Sequence, residues 1–338
     1  MPKKVEDLEQ VLIMEKTEGR NKTLIVEFIL LGFGDVGELQ PLLFLVFLVI
    51  YLVTVAGNIL IIALVVTDPH LQNPMYFLLV NLAFLETCYS STVLPRLLAS
   101  FLTGDRTISV QDCLTQLFFF GVLSCMENLL LTAMSYDRYL AICHPLHYAT
   151  LMNGRVCCQL VTGSWVFSFV NCTIVNVFLW QLTFCDSKVI NHFFCDFSPV
   201  LKLSCDDTPT LQLVAFIGAV IGSLVPCLLT LASYICIITV ILQIRSSTER
   251  KKAFSTCSSH LIVVTFYYGM VFTVYVVPTA NTPNVLHKIL SVFYTILSPM
   301  INPFIYCLRN REVNECLRKA ILKVATISIR HNIESVRF

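Results

Sequence analysis

Charge is what this sequence has least of: Asp, Glu, Lys and Arg make up 13% of its 338 residues, against 56% apolar side chains. Water-soluble domains carry roughly a quarter charged and about half apolar residues. A soluble core cannot absorb the excess seen here, whereas a lipid bilayer can. The net charge of +1 argues against a nucleic-acid or strongly acidic partner. Catalytic patterns are missing as well. There is no Gly-rich phosphate loop, no His-Glu-x-x-His pair, and no Ser or Cys with an evident His and Asp set, so the chain does not read as an enzyme. Met1 to Glu38 contain no long apolar core, so a cleaved signal peptide is not expected and the first membrane helix serves as its own insertion signal. Internal repeats, low-complexity tracts and domain-sized polar stretches are absent too.

What is there is a succession of apolar runs. A bilayer crossing takes about 20 mostly apolar residues. Seven segments qualify: Leu42–Val66, Met75–Ser100, Cys113–Tyr136, Val156–Leu182, Leu211–Ile244, Phe254–Val277 and Leu286–Leu308. The second and third are amphipathic, interrupted by Glu86, Arg96 and Glu127. The expected fold is all-α, a seven-helix transmembrane bundle spanning 42–308, with an N-terminal segment over 1–41 and a tail over 309–338. Arg309–Val324 reads as a short amphipathic helix on the inner membrane surface, with Cys316 or Cys307 as candidate palmitoylation sites.

Lys and Arg set the orientation. Arg138, Arg155, Arg245, Arg250, Lys251, Lys252 and the tail residues Arg309, Arg311, Arg318, Lys319 and Lys323 fall on one side. The opposite loops dilute Arg106, Lys188, Lys202 and Lys288 with five aspartates. A plasma-membrane protein with its N-terminus outside and its C-terminus in the cytoplasm follows. Asn21, in the glycosylation acceptor Asn21-Lys22-Thr23, then lies outside, where glycans are added. Two polar segments stand out: an outer loop, Thr183–Thr210, and an inner one, Arg245–Lys252.

Of 15 cysteines, many sit inside apolar runs, where a thiol acts as a small hydrophobe. Cys185, Cys195 and Cys205 share the outer loop, and Cys113 opens the third span on the same face. Four thiols in an oxidising lumen allow three pairings. His192-Phe193-Phe194-Cys195-Asp196 offers the alternative of a soft metal ion. Glu86 and Glu127 lie at membrane depth, where ionisable groups mark function. With Asn58, Ser124, Ser298 and Asn302 they suit a monovalent cation or a proton, or are simply protonated and hydrogen-bonded between helices. Asp137-Arg138-Tyr139 ends the third span, an ion pair that helix movement can release. The seventh span ends Ser298-Pro299-Met300-Ile301-Asn302-Pro303-Phe304-Ile305-Tyr306, a proline kink whose freed backbone groups Asn302 can satisfy.

These residues, in this order, resemble the rhodopsin-like G protein-coupled receptors, and within them the odorant receptors. Gly57-Asn58, Asp137-Arg138-Tyr139, Trp165, Pro226, Tyr234 and Asn302-Pro303-Phe304-Ile305-Tyr306 carry the broader likeness. Pro74-Met75-Tyr76-Phe77, the run Met134 to Tyr148, and Lys252-Ala253-Phe254-Ser255-Thr256-Cys257 carry the narrower one. The resemblance implies that a small, uncharged volatile odorant binds inside the bundle. The inner end of the sixth helix then moves outward, and a heterotrimeric G protein of the stimulatory olfactory type docks and raises cyclic AMP. It implies disulfides Cys113–Cys195 and Cys185–Cys205, and coupling roles for Asp137, Arg138, Tyr139, Tyr234, Asn302, Pro303 and Tyr306. The family's acid pair falls on Glu86 and Glu127, with a sodium ion as the only candidate cofactor. The ligand wall it implies is Phe120, Gly121, Ser124 and Cys125, faced by Tyr268, Val271, Phe272, Tyr275 and Thr295. Glu86 stands where many relatives have Asp, Asp112 where Gly is usual, and Glu127-Asn128 where Glu-Cys is closer to pattern. Two rivals remain: a receptor of the same fold for a non-odorant metabolite, and a small-solute transporter, for which broken helices and inverted repeats are lacking.

Overall fold

The computed structural model describes residues 25–34, 37–185, 187–275, 284–309, 312–319 and 322. Seven long helices run through it: α1 (Gln40–Thr67), α2 (Pro74–Thr103), α3 (Val110–Cys143), α4 (Gly154–Leu179), α5 (Pro209–Gln243), α6 (Ser247–Tyr275) and α7 (284–309). A short α8 follows at 312–319. Six of the seven are long and apolar enough to cross a membrane throughout, and α6 contributes a shorter apolar stretch, Cys257–Thr273. Buried residues concentrate in α2 and α3, the helices at the centre of the bundle, whereas α1 and α4 bury only a minority of their residues. That exposed surface is what lipid would cover.

Local chemistry sets the helix starts. Asn73 accepts from the Tyr76 amide at 3.3 Å with Pro74 in the first turn, and Asn153 caps α4 by accepting from Val156 N at 3.1 Å. Ser109 accepts from Asp112 N at 3.0 Å while its hydroxyl donates to the Asp112 carboxylate at 2.7 Å. Asp112, unusual in the resemblance, therefore closes a reciprocal N-terminal cap. Gly104, at φ 74°, ends α2 in the left-handed region that glycine tolerates.

One expectation changes here, and one small element comes in addition. The inner loop Arg245–Lys252 is largely helix, because α6 begins at Ser247 rather than near Phe254. Glu249, Arg250 and Lys251 are good helix formers, and Ser246 receives the Glu249 amide on its hydroxyl and the Arg250 amide on its carbonyl. The helical bundle also carries one small sheet. At the disulfide end a three-stranded sheet of order β2-β1-β3 covers the bundle. Here β1 (Glu27–Leu30) pairs antiparallel with β2 (Thr107–Ser109) and parallel with β3 (Val189–Ile190). Phe28, Ile108 and Ile190 turn their side chains into a second core beneath it.

Prolines shape two helices. Pro226 has no amide to offer the Gly222 carbonyl, and α5 carries a π turn at Val220–Leu224 just before it. Pro299 follows a second π turn, Phe293–Leu297 in α7. The carbonyl that Pro303 leaves free, that of Pro299, is satisfied by Asn58 Nδ2 of α1 at 3.2 Å. Asn302, expected to do this, points instead to Glu86. Gly57 brings α1 close to α7, since a Cβ there would lie 3.1 Å from Pro303 Cβ.

The α3–α4–α5 seam is tighter still: a Cβ on Gly222 would meet Cys125 Sγ at 2.9 Å. Gly222→Val is expected to destabilise the bundle by about 1–3 kcal/mol through overpacking. Gly163→Val, at a position with nothing within 4 Å, should leave the melting temperature of purified protein nearly unchanged. Equal melting temperatures for the two variants would count against this packing.

Candidate functional site

The disulfide end of the bundle is closed by its longest loop. Cys113 at the start of α3 is bonded to Cys195, with Cα atoms 5.5 Å apart, and Cys185 to Cys205, at 5.9 Å. The first bond consumes the Cys195 thiol, which removes the soft-metal reading of residues 192–196. It also pulls the loop inward: Phe193 and Phe194 are buried, Cys195 N donates to Gln116 Oε1 at 3.0 Å, and His192 Nε2 lies 3.3 Å from Ser291 Oγ of α7. The Phe194 ring sits 4.8 Å from Phe120 of α3, which in turn lies 5.0 Å from Tyr89 and 6.4 Å from Tyr294. Phe33, after β1, stacks on Phe47, Phe101 and Phe193. Arg106 Nη2 and Lys288 Nζ donate to the carbonyls of Gly34 (2.8 Å) and Gly32 (2.6 Å).

Below Phe194 the predicted ligand wall divides. Phe120, Ser124, Tyr268, Val271 and Thr295 face the interior or are half-buried against it. Asn128 ties this group together. Its Nδ2 donates to the Ser124 carbonyl at 2.8 Å and to Tyr267 Oη at 3.3 Å, its carbonyl accepts from Tyr268 Oη at 3.4 Å, and its Oδ1 accepts from Ser223 at 3.4 Å. Asn128 thus joins α3, α5 and α6 immediately beneath the wall. Sequence reasoning noted it only as a departure. Thr295 spends its hydroxyl on its own helix, donating to Ser291 O at 2.7 Å.

Gly121, Cys125 and Phe272 stand elsewhere. A Cβ on Gly121 would face Cys172 Sγ of α4 at 3.4 Å, and Cys125 Sγ points at the Gly222 carbonyl, 3.9 Å away. Both positions belong to the α3–α4–α5 seam. Phe272 is 59% exposed and turns outward from the bundle. Counting turns fixes angles within one helix, whereas the way each helix is rotated is set by its neighbours. Tyr275 closes α6, and its side chain lies outside the described residues. None of the described residues on this wall is charged.

At mid-depth the two acids are both buried, Glu86 on α2 and Glu127 on α3. Asn302 Nδ2 donates to Glu86 Oε1. Around them Asn58 Oδ1, Ser298 Oγ, Asn302 Oδ1 and Tyr306 Oη are buried without a hydrogen-bond partner. Neutral oxygens left over beside a carboxylate are the donor set a hard monovalent cation takes, so the residues fit a sodium ion. They hold no soft or multi-acid cluster: no group of three His, Cys, Asp or Glu converges among the described residues.

At the opposite end Arg138 donates from Nε to Asp137 Oδ2 at 2.9 Å, and Tyr148 of the following loop donates to Asp137 Oδ1 at 2.8 Å. Burial and the adjacent Asp137 carboxylate push the Tyr148 phenol upward, so it stays a donor. Tyr139 pairs with His144 at 3.0 Å. Tyr234 of α5 shares a 2.6 Å hydrogen bond with His260 of α6, and the His260 Nε2 is buried with no partner. Nothing in the sequence reading singled out His260. A lone histidine in an apolar run gives no signal until the Tyr234 contact is seen.

Pro303 and Tyr306 carry α7 toward α8, which docks on the turn after α1. Tyr76 Oη donates to Glu312 Oε2 at 2.7 Å, and Val313 is fully buried. The Cys316 thiol and the His70 backbone amide hold the Asp68 carboxyl down at about 2, while burial and Asp68 push the Cys316 thiol up to about 11. Cys316 and Cys307 are both buried. Acylation needs an accessible thiolate, so neither fits the palmitoylation expected of them. Asn21 lies outside the described residues.

The comparisons with known proteins agree with one another. The family model for the olfactory receptors matches residues 47–324. The chain is similar to olfactory receptor 6B1 of Homo sapiens, 48% identical over 302 residues, covering 89% of this chain and 96% of that one. It is also similar to olfactory receptor 1C1 of Homo sapiens, 45% identical over 306 residues, covering 90% and 98%. Among solved structures, squid rhodopsin superposes with a TM-score of 0.65 at 18% identity, over 82% of this chain and 84% of that one. That likeness carries the seven-helix fold.

Proposed function

We propose, from the premise that this chain belongs to the olfactory receptor family of G protein-coupled receptors, that it detects a small uncharged volatile molecule and signals through a stimulatory G protein of the olfactory type. The observation that carries the ligand class is the charge-free interior under the loop. Phe120, Val271 and Phe194 supply apolar area, with the hydroxyls of Ser124 and Tyr268 as the polar points. Affinity in such a wall comes mainly from burial, at about 25 cal/mol per Å² of apolar surface. A charged amine or carboxylate would meet no counter-charge there.

Signal transfer, in this reading, runs from the wall through Asn128 to the far end. The Asp137–Arg138 pair holds α3, and Tyr234–His260 holds α5 to α6. Parting these contacts frees Arg138 and Tyr234 for a G protein that enters between α3, α5 and α6. Glu86 and Glu127 would hold a sodium ion, whose charge would favour the resting arrangement of α2, α3 and α7. The excess of Lys and Arg around α6 and the tail supports a cytoplasmic position for that end, with the disulfides on the oxidising side of the plasma membrane.

The test expresses the chain with the olfactory stimulatory G protein and screens volatile odorants for a rise in cyclic AMP. A dose-dependent response is expected, and Arg138→Ala should cut it at least tenfold at unchanged surface display. A well-displayed protein silent across a broad panel, or a response untouched by Arg138→Ala, would overturn the reading.

A further inference from the structure

Where α5 ends at Gln243 and α6 begins at Ser247, a cleft of about 380 Å³ opens between the two helices. Ile241, Leu242, Arg250, Lys251, Phe254, Ser255 and Ser258 line it. All seven come from α5 and α6. Arg250, Phe254 and Ser258 recur every four residues and so share one face of α6. The neighbouring face, through Ala253, Cys257 and Leu261, packs with Tyr234, Ile237 and Ile241 against Tyr139, Ile142 and Cys143 of α3. The cleft therefore lies beside the inner core, on the flank of the bundle.

Its two ends differ in chemistry. Leu242 is 67% exposed and Phe254 48%, over a floor of buried Ile241 and Ser258. Arg250 and Lys251 form the rim, and neither makes an ion pair among the described residues, where the three ion pairs join His70 to Asp68, Arg96 to Asp105 and Arg138 to Asp137. The segment from 245 to 252 holds four cationic residues, Arg245, Arg250, Lys251 and Lys252, against one carboxylate, Glu249. An apolar trough capped by unpaired cations, at the level where a membrane-spanning helix leaves the hydrocarbon, is complementary to one class of molecule: an anionic lipid with phosphate above and acyl chain below.

We propose that this cleft binds an anionic phospholipid. Arg250 and Lys251 engage the headgroup phosphate, and Phe254, Leu242 and Ile241 take the upper part of an acyl chain, so that the lipid sits between α5 and α6. The inference rests on the cytoplasmic orientation given above, because anionic lipids populate that leaflet.

The test uses purified full-length protein without odorant or G protein, titrated with phosphatidylinositol bisphosphate, phosphatidylserine or phosphatidylcholine, with lipid retention read by native mass spectrometry. Retention should follow headgroup charge. Arg250→Gln combined with Lys251→Gln should lower apparent affinity for the bisphosphorylated lipid about thirtyfold, the order expected when two basic side chains leave an anionic surface. Leu242→Trp, which fills the trough and leaves the charges in place, should lower it comparably. Melting temperatures of all variants check folding, and both sites are exposed enough to tolerate change. Unchanged retention in both variants would overturn the proposal. Equal competition by water-soluble inositol trisphosphate would assign the site to a free phosphate. Because retention is measured without signalling, a receptor silent to odorants that still binds the lipid would sink the functional reading alone.

Discussion

Cys195→Ser is expected to lose about 2–5 kcal/mol of stability and most surface display, because one bond holds several things in place. The Cys113–Cys195 link spans 82 residues of sequence, so cutting it releases a long closed loop in the unfolded chain. In the folded chain it anchors the segment that inserts His192, Phe193 and Phe194 into the bundle and supplies β3 to the sheet. Cys113→Ser should match it, and the double variant should be no worse than either single one, since all three break the same bond. Cys185→Ser, closing a separation of only 20, should cost less. The measurement is cell-surface staining together with melting temperature. Cys195→Ser at native display and melting temperature would show that the loop's packing suffices without the covalent tie.

The second large effect concerns the acid at mid-depth. Native protein in sodium chloride is expected to melt above the same protein in choline chloride, by about 1.4 kcal/mol of stabilisation if sodium stands at tenfold its dissociation constant. Glu86→Gln should abolish that difference while keeping an acceptor for Asn302. Glu86→Leu should abolish it and, in addition, leave the Asn302 amide without its acceptor, costing a further roughly 1–3 kcal/mol in both salts. The contrast separates an ion from a hydrogen bond. A native protein with equal melting temperatures in the two salts would mean that the pair serves only as an interhelical hydrogen-bonding group.

Much of the architecture was legible in the sequence because lipid imposes a simple demand. A spanning segment must satisfy its own backbone and present apolar side chains, so length and composition locate it. The observed α1, α2, α4, α5 and α7 begin and end within a few residues of the apolar runs, whereas α3 continues past its run from Tyr136 to Cys143. The start of α6 was not legible in the same way, since hydropathy marks where a helix leaves lipid and says nothing of how far it continues into water. The sheet escaped for a different reason. Strands of two to four residues are too short to show a two-residue alternation, and β1 pairs with segments about 80 and 160 positions away.

The functional regions divide along the same line. Asp137-Arg138 is a local signal, made by adjacent residues, and its ion pair is local too. Asn128, His260 and Asn58 act through partners on other helices: Tyr267 and Ser223, Tyr234, and Pro299. Asn58 and Asn128 stood out in the chain by position alone and His260 not at all, and none of the three revealed its partner. Misplacing Gly121, Cys125 and Phe272 on the ligand wall has the same origin. A helix repeat fixes which residues share a stripe, but the direction of that stripe comes from packing, here Gly121 against Cys172 and Gly222 against Cys125.

By itself, then, the sequence determined that the chain crosses a membrane seven times, which family it belongs to, and which residues carry charge at depth, because solvation and local helix chemistry act on each segment independently. Only the tertiary structure decided which face of each helix looks inward, which amide answers each proline-freed carbonyl, how the N-terminal strand and the long loop close one end, and where two unpaired cations meet an apolar cleft. Those outcomes depend on close packing between segments far apart in the chain, and no single segment contains the information that sets them.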